Sequence, residues 1–175
     1  MGTNYWRRIQ TEFPFKIPFS ATGKFVSGSF NWIGFTDSVS PPVIVSLDLE
    51  KESYRALLLP DFGEMYVALT LNVLMDCLCM LCHSDTFSDV WVMKEYGNEN
   101  SWTRVFRVPY MGGAGSGPYT KVFHVYEDDQ VLLEFQLKLV LCNSRDGTFK
   151  SLEIQSTDGW MVPQVYQQSL ILPCS

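Results

Sequence analysis

Clustered basic charge, long apolar runs and helical periodicity are all missing from this 175-residue sequence. Thirteen Lys and Arg stand against nineteen Asp and Glu, a net charge of −6, and the basic residues form no run. Phosphate neutralisation needs clustered Lys and Arg, so a nucleic-acid binder is excluded. An anionic membrane surface is a poor partner for the same reason. The longest apolar stretch, residues 66–82, contains Asn72 and Asp76. It is shorter than the roughly 20 residues that span a bilayer and reads as two strands with a turn between them. Histidine is scarce, with only His83 and His124. The opening Met1-Gly2-Thr3-Asn4-Tyr5-Trp6-Arg7-Arg8 has no apolar core segment, so it is not a secretory signal. Trp6 stands where a myristoylation signal wants Ser or Thr. The expectation is an intracellular protein, in cytoplasm or nucleus, whose five Cys are reduced thiols.

Aromatics, at 14%, are abundant, and aromatics favour strands. Most segments alternate or run apolar for five to eight residues, rich in Val, Ile, Leu, Phe and Tyr. Turn clusters separate them at residues 21–23, 38–42, 50–53, 97–101, 144–147 and 157–159. This spacing predicts many short strands.

A repeat runs through the chain. Trp6-Arg7-Arg8-Ile9, Tyr54-Arg55-Ala56-Leu57, Trp102-Thr103-Arg104-Val105 and Phe149-Lys150-Ser151-Leu152 each carry an aromatic, a basic residue within two positions, then an aliphatic. They begin 48, 48 and 47 residues apart. A second series interleaves with them: Gly28-Ser29-Phe30-Asn31-Trp32, Asp76-Cys77-Leu78-Cys79-Met80 and Asp128-Asp129-Gln130-Val131-Leu132. Each unit is therefore hairpin, link, hairpin. A period of about 40–50 residues with four strands per unit marks a β-propeller blade. One blade cannot bury its faces alone, so stability comes from stacking, and the repeated aromatic would supply the contact between blades. The alternative is a β-sandwich with aromatic-rich hairpins. Dividing 175 by 48 gives about 3.6 units, so an incomplete ring of three to four blades is expected, beginning inside a blade at Trp6.

Three segments and the chain's end resemble the F-box-associated domain of plant F-box proteins. They are Gly23-Lys24-Phe25-Val26-Ser27-Gly28-Ser29-Phe30-Asn31-Trp32, Val43-Ile44-Val45-Ser46-Leu47-Asp48-Leu49-Glu50-Lys51-Glu52-Ser53-Tyr54-Arg55, and Asp89-Val90-Trp91-Val92-Met93-Lys94-Glu95-Tyr96-Gly97 with Ser101-Trp102-Thr103. The ending Val165-Tyr166-Gln167-Gln168-Ser169-Leu170 is similar too. The resemblance implies an all-β, kelch-like propeller over residues 1–175 that captures a protein substrate. It also implies a role beside a Skp adaptor and cullin in a ubiquitin ligase. No F-box helices precede Trp6 in this sequence, so Skp contact is expected only with an F-box upstream.

Candidate chemistry is sparse. Cys77-x-Cys79-x-x-Cys82 is the most tempting metal site, but zinc wants four ligands, usually from two separate pairs. Strand alternation puts Cys77 and Cys79 on one face and Cys82 near the other, so core packing is the favoured reading. Neither His83 nor His124 lies near a nucleophile signature. Gly112-Gly113-Ala114-Gly115-Ser116-Gly117-Pro118 lacks the Lys-Ser/Thr of a phosphate loop and reads as an inter-strand loop able to touch a partner. Glu127-Asp128-Asp129 and residues 85–89 are acidic clusters, expected to be solvated. Arg7, Arg8, Arg55 and Arg104 recur with the repeat and read as blade-surface residues, with a basic stripe for an acidic partner as the alternative. No catalytic residue, metal or cofactor is expected. The function expected is a protein-interaction module, not an enzyme. The alternatives are a propeller hydrolase and a truncated fragment without function.

Overall fold

The computed structural model describes residues 15–18, 22–37, 39–63, 66–110, 119, 121–135 and 138–152. Among these residues the elements are twelve strands and one 3-10 turn, the all-β class expected. The strands are β1 (Lys24–Val26), β2 (Ser29–Gly34), β3 (Val43–Asp48), β4 (Ser53–Leu57), β5 (Ala68–Leu74), β6 (Cys77–His83), β7 (Phe87–Met93), β8 (Trp102–Pro109), β9 (Lys121–Val125), β10 (Gln130–Phe135), β11 (Lys138–Asn143) and β12 (Phe149–Leu152). Residues 66–82 form most of the β5–β6 hairpin, not a helix.

The strands make three sheets of four, each an antiparallel meander in chain order. The first strands of the sheets are neighbours, since β5 contacts both β1 and β9. That places β1, β5 and β9 on the inside and β4, β8 and β12 on the outside. These are three blades of an incomplete kelch-like β-propeller.

Local chemistry explains the hairpins. β1 and β2 are joined by Ser27 and Gly28, and β5 and β6 by Met75 and Asp76, all four at positive φ. Two positive-φ residues in a row give the turn whose twist matches that of paired strands. The second sequence series marks these turns, and the first marks the start of each outer strand.

Two apolar cores lie between the blades. Val26, Ile44, Leu57, Leu71, Leu78, Met80, Cys82, Met93 and Trp102 form one, between blades 1 and 2. Leu74, Cys79, Leu81, Val90, Val108, Val122, Val131, Leu133 and Val140 contribute to the other, between blades 2 and 3. Strand β6 feeds both, because alternate side chains leave a strand on opposite faces. Leu78, Met80 and Cys82 enter the first core, while Cys79 and Leu81 enter the second. Burial on both faces is why β6 reads as an unbroken apolar run.

The repeated aromatic does bridge blades. Trp102 enters the core shared with blade 1, and its indole Nε1 donates to the Leu58 carbonyl at 3.1 Å. Phe149 of blade 3 packs against the core shared with blade 2. The copy at residues 6–9, the glycine-rich segment 112–118, the turn at 157–159 and the ending 165–170 lie outside the described residues.

Candidate partner-binding face

In a meander, alternate connections emerge at opposite ends of the blade. One end of this stack carries the connections β2–β3, β4–β5, β6–β7, β8–β9 and β10–β11. Among the described residues of these connections are 35–37, 39–42, 58–63, 66–67 and 84–86. Long connections on a rigid frame are where recognition residues concentrate.

A polar network sits at this end of blade 2, on the side facing blade 1. Asp89 of β7 has a fully buried side chain. Arg107 of β8 grips it twice, Nε to Oδ1 at 2.7 Å and Nη2 to Oδ2 at 2.8 Å. Arg104 adds Nη1 to Oδ2 at 3.3 Å, and the Tyr66 hydroxyl donates to Oδ2 at 2.5 Å. Burial alone would raise the Asp89 pKa, but hydrogen bonds from Arg107 and Tyr66 and the two guanidinium charges hold it below the usual carboxylate range. Burial, together with the bond to Asp89, pushes the Tyr66 phenol up to about 12. The Arg107 guanidinium lies 3.7 Å from the centroid of the Phe87 ring. Tyr66 meets Phe87 and Phe62 edge-on. Phe62, Tyr66, Phe87 and Arg107 thus form a ladder between the inter-blade link and β8.

His83 occupies the other side of the same blade end. Its ring nitrogens face Thr70 Oγ1 at 2.9 Å and Ser88 Oγ at 2.7 Å. The Ser88 hydroxyl also reaches the Tyr110 hydroxyl at 3.3 Å. Burial pulls the His83 pKa down to about 4, so the ring is neutral. Both nitrogens have partners, which makes His83 a structural histidine. His124 is exposed, its ring edge-on to Tyr126 at 4.6 Å.

The opposite end of blades 1 and 2 is a clamp. The Tyr96 hydroxyl donates to Asn31 Oδ1 at 2.8 Å and meets Ser46 Oγ at 2.7 Å, both in blade 1. Arg55 lies over the Tyr96 ring. Gly97, at φ +83, leaves room for that guanidinium, since a Cβ there would stand 2.7 Å from it. The Val90-to-Gly97 run that carries the family resemblance is thus inter-blade chemistry.

One expectation needs correction: Asp89, grouped with the solvated acids, is buried and paired. Arg55 and Arg104 are exposed blade-surface residues as expected. They lie on different blades, one over Tyr96 and one on Asp89. Arg7 and Arg8 lie outside the described residues. Cys79 and Cys82 point into different cores, so they cannot join one metal site. Burial pushes the Cys79 thiol up to about 12 and the Cys142 thiol to about 11, which leaves both poor nucleophiles. The Glu127-Asp128-Asp129 turn is tied locally, with Asp129 paired to Arg145. Among the described residues no helix is long and apolar enough to cross a membrane.

Comparison with known proteins gives a consistent answer. The chain is similar to the F-box/kelch-repeat protein At3g23880 of Arabidopsis thaliana, 31% identical over 171 residues, 95% of this chain and 45% of the relative. It is 32% identical to the F-box protein CPR1 of the same plant over 139 residues, 75% of this chain and 33% of that one. The F-box protein At4g22390, also of Arabidopsis thaliana, is 26% identical across 98% of this chain and 46% of the relative. Over most of its length the chain is therefore similar to plant F-box and F-box/kelch-repeat proteins. It spans less than half the length of these relatives. No family model matches it, and no solved structure does.

Proposed function

We propose that this chain is the partner-capturing part of a ubiquitin-ligase receptor of the Skp–cullin–F-box type. It binds a protein substrate and performs no chemistry itself. The observation that carries the reading is the match to an F-box/kelch-repeat protein across 95% of the chain, on a frame of stacked four-stranded blades. Among the described residues, His83 is held neutral between two hydroxyls and Asp89 is engaged by arginine. Skp contact is proposed only for a polypeptide that also carries an F-box. The setting proposed is intracellular.

The test is affinity capture from plant extract with two baits, this chain and the same chain fused behind an F-box. A shared protein partner enriched by both, with Skp enriched only by the fusion, is the expected result. If neither bait enriches any protein above an unrelated propeller, the interaction reading fails. Turnover of a hydrolase substrate that is lost in His83→Gln would replace it with the enzyme reading.

A further inference from the structure

Strand β8 carries Arg104 and Arg107, three positions apart. In a regular strand an odd separation sends two side chains to opposite faces. Here both reach Asp89 Oδ2. The cause is a break in register: Val90 pairs with Phe106, but Trp91 pairs with Arg104, so Val105 is an extra residue on β8. A bulge of this kind re-aims side chains. Trp102 and Arg104 share a face by ordinary alternation, and the bulge brings Arg107 onto that same face.

The consequence is an imbalance of charge and of donors. Two guanidiniums share one carboxylate, which leaves a local charge of +1 on a chain whose net charge is −6. Arg104 spends one 3.3 Å contact on Asp89, and its side chain is 51% exposed. The Arg107 side chain is 48% exposed. Trp91, directly opposite Arg104 in the ladder, has a buried indole Nε1 with no hydrogen-bond partner. Beside Arg107 lie the Phe87, Tyr66 and Phe62 rings. Leu58 and Val67 of the same inter-blade link are exposed, and the Leu58 amide donates to Glu99 Oε1 at 2.7 Å.

We infer that Arg104 and Arg107, aligned by the β8 bulge beside this aromatic ladder, form an interaction site for a partner segment that mixes carboxylate and apolar side chains. Asp89 is the built-in anchor: its buried carboxylate fixes the Arg107 guanidinium plane through two hydrogen bonds and holds Arg104 beside it through one longer contact. A carboxylate then meets preorganised donors at the rim, while its apolar neighbours lie on Leu58, Phe62 and Val67. This inference rests on the partner-capture reading and names the chemistry of what is captured.

The experiment uses the whole chain and a fluorescein-labelled peptide of alternating Glu and Leu, with Gln-for-Glu and phosphoserine-for-Glu versions beside it. Fluorescence anisotropy is read at low and at moderate salt. The glutamate peptide is expected to bind about tenfold more tightly than the glutamine one, and salt should weaken only the former. Arg104→Gln is expected to weaken glutamate binding about fivefold or more while leaving the melting temperature within a few degrees, because its contact is long and half-exposed. Arg104→Lys should recover part of the affinity, since it restores charge without the planar fork. Equal binding of the glutamate and glutamine peptides, or unchanged affinity in Arg104→Gln, overturns the inference. So does binding by the phosphoserine version alone, which would mark a phosphate site instead. Any of these leaves the partner-capture reading standing, because that reading is tested separately by capture of an intact protein with the two baits.

Discussion

The two inter-blade interfaces are built differently. Between blades 2 and 3 the described contact is centred on apolar side chains, with Cys79, Leu81, Val90, Val108, Val131, Leu133 and Val140 all fully buried and the Tyr119 hydroxyl donating to the Pro109 carbonyl at 2.7 Å. Between blades 1 and 2 a similar apolar centre is crossed by hydrogen bonds from Tyr96 to Asn31 and Ser46 of blade 1, while Asp89 ties Tyr66 of the inter-blade link to the arginines of blade 2. Apolar burial is non-directional and proportional to area, so it holds blades together without fixing their rotation. Directional hydrogen bonds across the interface and onto its link fix its angle. The pinned interface is the one beside the proposed binding groove, where the relative placement of the 58–67 link and β8 decides the shape presented to a partner.

Breaking the Asp89 pin is the most damaging single change expected. Asp89→Ala leaves two guanidiniums and the Tyr66 hydroxyl without their acceptor beside a buried site. The arginines left behind are half-exposed and water can solvate them, so the cost is that of lost hydrogen bonds to a charged group, about 1.5–3 kcal/mol. Urea unfolding should show that loss. A cost no larger than that of a surface change would mean the link is held by its apolar residues alone, and the contrast between the interfaces would lose its sharper half.

The second test separates the two polar clusters of blade 2 by pH. The folded-state pKa of His83 is depressed to about 4, against an ordinary value near 6.5. Above pH 6.5 the ring is neutral in both states and adds no pH dependence. As pH falls from 6.5 toward 4, the unfolded chain takes up a proton that the folded chain refuses, so stability declines. The loss is on the order of 2–3 kcal/mol by pH 4. Asp89, whose folded pKa is also depressed, keeps its contribution through this window and loses it only in stronger acid. Thermal melts between pH 7 and 4 should therefore slope in the native chain and flatten in His83→Gln. An equal slope in both would place the titrating group elsewhere.

Much of this was readable in the sequence because it depends on local pattern. The 48-residue spacing of Tyr54 and Trp102 set the blade period, and Phe149 continued it at 47. Alternation correctly parted Cys77 and Cys79 from Cys82. What escaped was the Asp89 network, whose partners lie 15, 18 and 23 residues away. It also depends on a bulge that no composition rule announces. One signal was present: Asp89 stands at the head of Val90-Trp91-Val92-Met93, an apolar run typical of a strand buried on both faces. A lone acid there needs a cation, and β8 supplies two.

The pin at the opposite end is smaller and more easily isolated. Tyr96→Phe keeps the ring under Arg55 and removes only the hydroxyl that bridges Asn31 and Ser46. Asn31 and Ser46 are both fully buried, so their oxygens lose a partner they cannot replace from water. Leaving buried polar groups unsatisfied costs about 1–3 kcal/mol. The Asn31→Ala, Tyr96→Phe pair should cost less than the sum of its single changes, since each removes the same bond. Additive costs would show that the hydroxyl acts on Ser46 alone.

The smallest effect lies in a turn and touches neither interface, which makes it the control for the other two. Met75 and Asp76 both sit at positive φ, at 51° and 60°, in the two-residue β5–β6 turn. Met75 is exposed, so its side chain gains little from packing there. A non-glycine residue in the left-handed region pays for a Cβ–carbonyl approach, and Asn tolerates that conformation best among residues with a side chain. Met75→Asn should therefore raise stability by about 0.5–1 kcal/mol without altering peptide binding. The gain comes from the hairpin alone, so it should add fully to the loss in Tyr96→Phe, whose contacts belong to the blade 1–2 clamp. Strong non-additivity between the two would mean that hairpin and clamp are coupled through β6, the strand that feeds both cores.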